Sequence, residues 1–358
     1  MEVVVYPPLT TTAQGVEPNV RMGFGVQVTQ LTVRWSRRGN DELRATVRGI
    51  RAGSGLAPSW KTVPIRPAAH VELVIDGKTV WDGFVRRIDW SVRGEVTGFT
   101  AVGYDRDSRE SVTLANVPVG QLLARVTVAV APYLRVEGDP GELGTVSGTY
   151  TVADACETLR RYARADGTVI DVRARAGRVL AVVPVATGPL WKPETVLVPP
   201  PDAVIEWPEV DDLATKVTVR WNQGTATYTQ DAEDTNRIAE LGFRRTVVID
   251  VQKVANPSAV AYRLLYERYA PVPALSWEGT SDWELATGAR VPSTGIRVGD
   301  AVYVAGFGPV MVHEVEHRYP GPVVSVRAGR QTSDDAVLNR LRTVFEVAML
   351  GRDPNAWF

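Results

Sequence analysis

Cysteine is almost absent from this sequence, in which Cys156 is the only one among 358 residues. A single cysteine excludes a disulfide framework within the chain and any zinc centre built from cysteine ligands. Cys156 falls on the apolar face of a predicted helix. We therefore interpret it as a small buried hydrophobic residue rather than a reactive thiol.

The sequence also lacks a surplus of charge, since 40 lysine and arginine residues face 41 aspartate and glutamate residues. This balance argues against a protein whose main task is to hold nucleic acid or an anionic membrane, although a local basic patch remains open. No apolar run reaches the roughly 18 residues of a membrane span. The first eight residues lack a basic region followed by an apolar core, so we expect no secretory signal and a soluble protein folded in the cytoplasm.

Familiar catalytic motifs are missing as well. There is no phosphate-binding G-x-x-x-x-G-K-[ST] loop and no G-x-S-x-G elbow. The pairs Gly23-x-Gly25 and Gly306-x-Gly308 lack the third glycine of a dinucleotide-binding motif. Adjacent acidic pairs at 211–212 and 334–335 are interpreted as turn or cap residues. We therefore predict no catalytic, cofactor-binding or metal-binding residues, no cofactor, and a protein that is not an enzyme.

The dominant pattern is one of short alternating runs rich in valine and threonine and broken by glycine and proline, which is typical of strands. In residues 71–104, one run leads into Asp76-Gly77, the strongest two-residue hairpin turn, and two further runs follow. This pattern predicts an antiparallel meander. A similar pattern at 298–328 predicts a second one, so that β-rich regions cover roughly 1–108 and 205–332.

Helices are few, and the middle of the chain differs from both ends. Thr151 with Asp154 resembles a capping box at the start of a helix, and a hairpin is predicted around Ala176-Gly177. Residues 118–131 are compatible with a helix or a strand. A helix is predicted at 257–269, after Asn256-Pro257. An apolar stripe predicts a last helix within 333–358, which must dock on something; the stripe comprises Val337, Leu338, Leu341, Val344, Phe345 and Ala348.

One string matches the H-E-x-x-H signature of zinc proteases, namely residues 313–317. That motif requires a helix, in which both histidines reach one metal. Here the flanking residues continue an alternating pattern, and in a strand the two histidines would lie roughly 13 Å apart. His70 and Glu346 are the remaining histidine and the downstream glutamate. We interpret the segment as a strand with exposed polar residues and keep a zinc site as the alternative.

Two further groups of side chains stand out. An arginine-rich set is interpreted as a solvated strand face and loop, or alternatively as a contact with an acidic partner or with passing nucleic acid; it comprises Arg34, Arg37, Arg38, Arg44, Arg48 and Arg51. Seven of the ten tryptophans lie in or beside β segments. We expect most of them in the core and some as interface anchors, among Trp35, Trp60, Trp81, Trp90, Trp221, Trp277 and Trp283.

These segments resemble the tail hub proteins of tailed bacteriophages and contractile injection systems. Residues 70–89 (HVELVIDGKTVWDGFVRRID) and 100–106 (TAVGYDR) are similar to the first barrel of that family. Residues 296–304 (IRVGDAVYV), 312–317 (VHEVEH) and 323–329, preceded by the helix at 257–269, are similar to its second barrel. The similarity covers about a third of the chain and lies in the pattern rather than in any single residue.

The resemblance implies a mainly β fold with two antiparallel, tube-like β-barrels, a small α+β insertion and a C-terminal helix. The implied domains are 1–108 (first barrel), 109–200 (insertion), 201–332 (second barrel) and 333–358 (C-terminal helix and tail). It also implies a structural protein of the virion, assembled in the host cytoplasm, whose ring joins the tail tube to the tip or spike and forms part of the DNA channel.

The partners implied are further copies of the chain, expected as a homotrimer, together with a tail tube or distal tail protein, a tape-measure protein and a tip spike or fibre protein. DNA would pass without specific binding, and no membrane insertion is expected. A distal tail ring protein, expected as a hexamer, is the nearest alternative. A zinc metallopeptidase acting through 313–317, a glycan-active protein, or a carbohydrate- or receptor-binding module are the others.

Overall fold

The computed structural model confirms the mainly β fold class. It describes residues 1–8, 28–37, 39–51, 65–91, 95–141, 144–160, 169–185, 196–209, 213–223, 226–251, 257–265, 269, 272–321 and 323–329. The predicted helix within 333–358 lies outside these ranges. None of the helices in the described ranges is long and apolar enough to cross a membrane.

Six strands form a first β unit: β1 (Glu2–Pro8), β2 (Val28–Ser36), β3 (Gly39–Arg51), β4 (Ala69–Ile75), β5 (Lys78–Trp90) and β6 (Glu95–Val102). They pair antiparallel in the order β1-β4-β5-β6-β3-β2. The predicted meander is β4-β5-β6, and its first turn has positive φ at Asp76 (50°) and Gly77 (74°). Alternate side chains such as Leu43, Leu73 and Trp81 fill its core.

An inserted unit follows, with β7 (Val112–Pro118), α1 (Val119–Val130), β8 (Arg135–Glu137), β9 (Thr145–Tyr150), α2 (Val152–Arg160), β10 (Val169–Arg175) and β11 (Val179–Val185). Strands β7 and β9 pair separately, whereas β10 and β11 form the predicted hairpin. The predicted capping box is confirmed, because the Asp154 backbone donates to the Thr151 hydroxyl and the Thr151 backbone donates to the Asp154 carboxylate. Cys156 is fully buried, as predicted.

The segment 118–131, which the sequence left open, is the helix α1. Its buried residues Val119, Leu122, Leu123, Val126 and Val130 recur at intervals of three and four, which places them on one face. That face packs with α2 against the hairpin β10–β11 in a shared core. Burial of this face decides in favour of the helix despite the β-branched valines.

A second β unit contains β12 (Val196–Val198), β13 (Val204–Glu206), β17 (Ala274–Gly279), β18 (Trp283–Leu285), β19 (Arg290–Val291), β20 (Ala301–Val304), β21 (Gly308–Tyr319) and β22 (Val323–Gly329). The antiparallel run β20-β21-β22-β17-β13 forms its main sheet. Strand β12 joins β20 in parallel and β18 in antiparallel orientation. Its core includes Trp277 and Trp283, which meet edge to face.

A three-stranded unit lies between β13 and β17 in the chain. It consists of β14 (Lys216–Gln223), β15 (Ala226–Glu233), α3 (Thr235–Leu241), β16 (Thr246–Val251) and α4 (Pro257–Arg263), with the strand order β15-β14-β16. It has its own small core around Val217, Val219 and Leu264. Since β13 and β17 are themselves paired, the unit is an insertion between two neighbouring strands of the second β unit.

The two β units are joined into one sheet through β2 and β21. These strands pair antiparallel from Leu31 opposite Tyr319 to Ser36 opposite Glu314. The sheet therefore continues without a break from β1, through β3 and β2, into β21, β22, β17 and β13. We call the β2–β21 pair the seam.

Candidate functional site

The most extensive candidate surface is the face of the sheet that crosses the seam and points away from both cores. On strands β3, β2, β21, β22 and β17 the buried apolar residues alternate with polar ones. We call the polar side the outer face; among its residues are Thr32, Arg34, Ser36, Glu42, Arg44, Thr46, Arg48, Ser276, Glu278, Glu314, Glu316, Arg318, Ser325 and Arg327. Both β units contribute to it, which makes it a single surface.

The charges of the outer face are paired with one another. Arg318 donates to Glu316 and to Glu278, at 2.8 Å in each case. Arg327 lies 3.5 Å from Glu314. Cations and anions thus alternate across strands β21, β22 and β17. Exposed pairs of this kind contribute little to stability, at most about 1 kcal/mol each, but they leave no row of unpaired cations that would hold a polyanion.

Charge pairing also crosses the seam. Arg34 of β2 lies 2.8 Å from Asp41, and Arg44 pairs with Glu42. Burial disfavours the charge of Arg34, but Asp41, Glu314 and Glu42 outweigh it and raise the pKa of Arg34 above its usual value. Glu314 belongs to β21, so the electrostatic coupling links the two β units as well as the backbone hydrogen bonds do.

The prediction for residues 313–317 is confirmed in one respect and wrong in another. The segment is part of strand β21, as predicted, and not a helix. The register with β22 shifts between Val312 and Glu314, which places His313 in a β-bulge. The predicted exposure of the histidines is wrong, because His317 is only 6% exposed and His313 is half-buried. The ranges described hold no group of three side chains placed to bind a metal.

The two histidines lie in surroundings that keep them neutral. Burial, with a smaller effect from Arg297, lowers the pKa of His317 to about 4. Burial, with Arg37 and Arg327, lowers the pKa of His313 to about 4 as well. The His317 ring meets Trp35 of β2 edge to face, at 5.1 Å between centroids. These histidines act as packing residues at the seam and not as metal ligands or proton donors at neutral pH.

The arginine-rich set does not form one patch. Arg34, Arg44 and Arg48 lie on the outer face, whereas Arg37 is buried and its guanidinium lies 3.1 Å from Asp171 of β10. Both interpretations of the set were therefore wrong for Arg37, which joins the first β unit to the inserted unit. Arg38 and the side chain of Arg51 lie outside the described part of the structure.

The tryptophans divide as expected. Trp81, Trp277 and Trp283 are core residues, and Trp90 is 39% exposed. Trp60 lies outside the described ranges. The sequence analysis did not single out Trp207, which is 57% exposed and therefore the more accessible of the two surface tryptophans.

A buried polar network connects the first β unit to the inserted unit. Asp82 of β5 is fully buried and accepts hydrogen bonds from the backbone N–H groups of Gly177 (2.8 Å) and Arg178 (2.7 Å) in the β10–β11 turn. It also accepts one from the Asn40 amide at 3.2 Å. Burial raises the pKa of Asp82 to about 6 despite these bonds. The carboxylate therefore fixes the hairpin turn against β5.

His70, the third histidine, belongs to the same region. Its Nδ1 lies 2.5 Å from the Tyr104 hydroxyl and its Nε2 lies 2.9 Å from Glu72. The arrangement has the order of a catalytic triad, but Tyr104 is 2% exposed and His70 is 1% exposed. No substrate atom could reach the tyrosine oxygen. We assign the network to the joining of the two units.

Comparison with known proteins provides matches at the level of structure only. No protein-family model matches the sequence, and no curated protein matches it. The fold is similar to a 43 kDa tail protein of prophage MuSo2 from Shewanella oneidensis, with 14% identity and a TM-score of 0.56 over 92% of this chain and 98% of that one.

Two further solved structures share the fold. Prophage tail protein gp18 from Listeria monocytogenes EGD-e has 12% identity and a TM-score of 0.54, over 97% of this chain and 100% of that one. A tail protein from Neisseria meningitidis MC58 has 13% identity and a TM-score of 0.51, over 85% and 93%. The chain therefore has the fold of prophage tail proteins across nearly its whole length.

Proposed function

We propose that this protein is a structural component of a phage tail or a related injection machine. The observation that carries the proposal is the shared fold with three prophage tail proteins, which extends over 85–97% of this chain. An isolated catalytic module grafted onto a common barrel would match over part of the chain only. The seam adds a second argument, because it joins the outer faces of two β units into one surface.

Within this role, we place the protein at the hub, where copies of it form a ring between the tail tube and the tip or spike. In this proposal the segments 1–108 and 201–332 are tube-like barrels, 109–200 is the insertion and 333–358 carries the C-terminal helix. A trimer has six such barrels, which suits a sixfold tube on one side and a threefold spike on the other. The tail tube or distal tail protein, the tape-measure protein and the spike or fibre are the partners.

The outer face is the part of the surface that we assign to the channel. It is the face to which both β units contribute, as a wall built from six barrels requires. Its paired charges suit the passage of DNA, because a polyanion gains affinity by releasing counterions at unpaired cations. The protein would then be a virion component, assembled in the host cytoplasm, that lets DNA slide without holding it.

The first test is the mass of the assembled particle, measured by native mass spectrometry and checked by electron microscopy. Three 39.1-kDa chains give about 117 kDa, and six give about 235 kDa. A ring of three supports the hub. A ring of six would instead support a distal tail protein. A monomer that turns over a substrate would contradict both assignments.

The second test locates the channel. In a Cys156→Ala background, spin labels are placed one at a time at Thr46→Cys and Ser276→Cys, which lie on the outer face of the first and second β units. The control is Val128→Cys on α1, which is 77% exposed. If the outer face lines the axis of the ring, distances between copies are shorter for the first two labels than for the control. The opposite order would contradict the assignment.

The metallopeptidase alternative has a direct test in the metal content of the purified protein. A strand at 308–319 keeps His313 and His317 roughly 13 Å apart, too far to share one ion. We expect no stoichiometric zinc and no change in metal content on His313→Ala. Zinc at one equivalent that is lost in this variant would reverse the choice.

A further inference from the structure

An apolar patch lies at the open end of the second β unit. Ile205, Trp207 and Phe307 are 39%, 57% and 38% exposed. The Trp207 and Phe307 rings meet edge to face at 6.3 Å between centroids. We call these three residues the aromatic patch. Two large rings held together at the surface, beside an aliphatic residue, are the usual form of an anchor point for another apolar segment.

The chain leaves the second β unit beside this patch. Strand β22 ends at Gly329, which is opposite Ala274 of β17, and Ala274 is opposite Glu206 of β13. Gly329 thus lies two strand spacings, about 10 Å, from the residue that precedes Trp207. The exit is also fixed in direction, because Gly329 has φ of 78° and a Cβ there would lie 1.9 Å from the Pro273 carbonyl oxygen.

The sequence after this exit has the composition of a docking helix. Residues 330–358 lie outside the described ranges, but residues 333–349 carry an apolar stripe at helical spacing, with Thr343 and Glu346 on the opposite side. Four residues span up to about 14 Å, so the link from Gly329 to Ser333 can reach the aromatic patch. The charges agree, since exposed Glu206 and Glu209 flank Trp207 and the stripe is interleaved with Arg340 and Arg342.

We propose that the aromatic patch is the docking site for the apolar stripe of residues 333–349 of the same chain. Trp207 and Phe307 then act as anchors, and the stripe covers the open end of the second β unit. The proposal does not depend on the function of the protein, because it concerns how the chain covers its own surface.

The experiment uses the full chain with Cys156 replaced by alanine. Ile205→Cys is combined with one cysteine on the stripe, at Leu338, Leu341 or Phe345 in turn, so that Trp207 and Phe307 stay in place. Ile205→Cys with Thr343→Cys is the matched control, since Thr343 lies on the opposite side of the predicted helix. Oxidation under mild conditions is followed by peptide mapping and by electrophoresis without reductant.

A disulfide within one chain at one or more stripe positions, and not at Thr343, is the expected result. A disulfide between two chains would assign the patch to the segment of a neighbouring copy and overturn the proposal. No disulfide at the three stripe positions, or equal yield at Thr343, would overturn it too.

A second measurement does not depend on cysteine geometry. Trp207→Ser and Phe307→Ser are each expected to speed tryptic cleavage after Arg340 and Arg342 about tenfold, because loss of one aromatic anchor raises the undocked fraction by that order. Trp90→Ser, which removes an exposed tryptophan in the first β unit, is the control and leaves the cleavage rate unchanged. Equal rates in the Trp207 and Trp90 variants would refute the docking.

Discussion

Replacement of His317 by phenylalanine is expected to remove much of the acid sensitivity of the seam. His317 is 6% exposed and packs edge to face on Trp35 across the β2–β21 pair. Phenylalanine keeps a planar ring in the same place and removes both nitrogens, of which Nε2 has no hydrogen-bond partner among the described groups. The packing should therefore survive while the titration is lost.

The size of the effect follows from the pKa of His317. Burial lowers it from 6.5 to about 4 in the folded protein. Between these values the unfolded chain binds the proton and the folded chain does not, so stability is lost as the pH falls below 6.5. At about 1.4 kcal/mol per pKa unit, the loss reaches about 2.5 kcal/mol at pH 4.5 and is absent above pH 7.

The assay is urea unfolding of both proteins at pH 7.5 and pH 4.5, followed by tryptophan fluorescence, with the same oligomeric state at both pH values. We expect the stability of His317→Phe relative to the native protein to rise by about 2.5 kcal/mol between the two pH values. Ser325→Ala, on the neighbouring strand, removes no titratable group and serves as the control. If His317→Phe and the native protein lose equal stability on acidification, the account of a neutral, desolvated histidine is wrong.

Three other substitutions test the contacts between the units. Asp82→Asn removes a carboxylate whose pKa is raised from 3.8 to about 6, so the native protein alone loses about 3 kcal/mol as the pH rises from 3.8 through 6; urea unfolding at pH 4 and pH 7.5 should find the variant gaining relative stability at the higher pH, and a constant difference would contradict this. Arg37→Ala leaves the buried carboxylate of Asp171 without its cation and should cost about 3–5 kcal/mol, whereas Arg44→Ala on the outer face should cost less than about 1 kcal/mol; similar costs in thermal unfolding would refute the contrast. Gly39→Ala places a Cβ 1.9 Å from the Ala174 carbonyl oxygen, while Gly77→Ala has similar positive φ and no neighbour within 4 Å, so the first variant should have the lower melting temperature by several degrees.

Local patterns in the sequence were sufficient for most individual strands and turns. Asp76-Gly77 predicts a hairpin because its chemistry suits positive φ, and the structure has positive φ at both residues. Thr151 and Asp154 predict a helix start in the same way, since the cap depends only on residues three apart. In each case the determining contacts are short in sequence, so the sequence alone contains them.

Features that depend on distant partners could not be predicted. Arg37 is buried because Asp171, 134 residues away, neutralises it. His317 is buried because Trp35 of another β unit covers it. Alternation identifies the two faces of a strand but does not say what packs on either one, which is why residues 313–317 were expected to be exposed.

The candidate surface itself was the least predictable part. The outer face exists because β2 pairs with β21, and no turn or short motif specifies that pairing. Its residues read as ordinary solvated strand positions in the sequence, and only the register of the five strands aligns their charges. Trp207 was overlooked for a similar reason, because its exposure depends on Phe307 and on the end of β13.

The seam also has a consequence for synthesis on the ribosome. Leu31 pairs with Tyr319, so β2 leaves the ribosome long before its partner strand has been made. At 5–20 residues per second, its hydrogen-bonding edge waits roughly 15–60 s for β21. A chain that terminates early has an unpaired β2 edge and no complete outer face. Nascent and truncated chains therefore make poor subunits and good clients for chaperones, and only finished polypeptides can enter a symmetric particle.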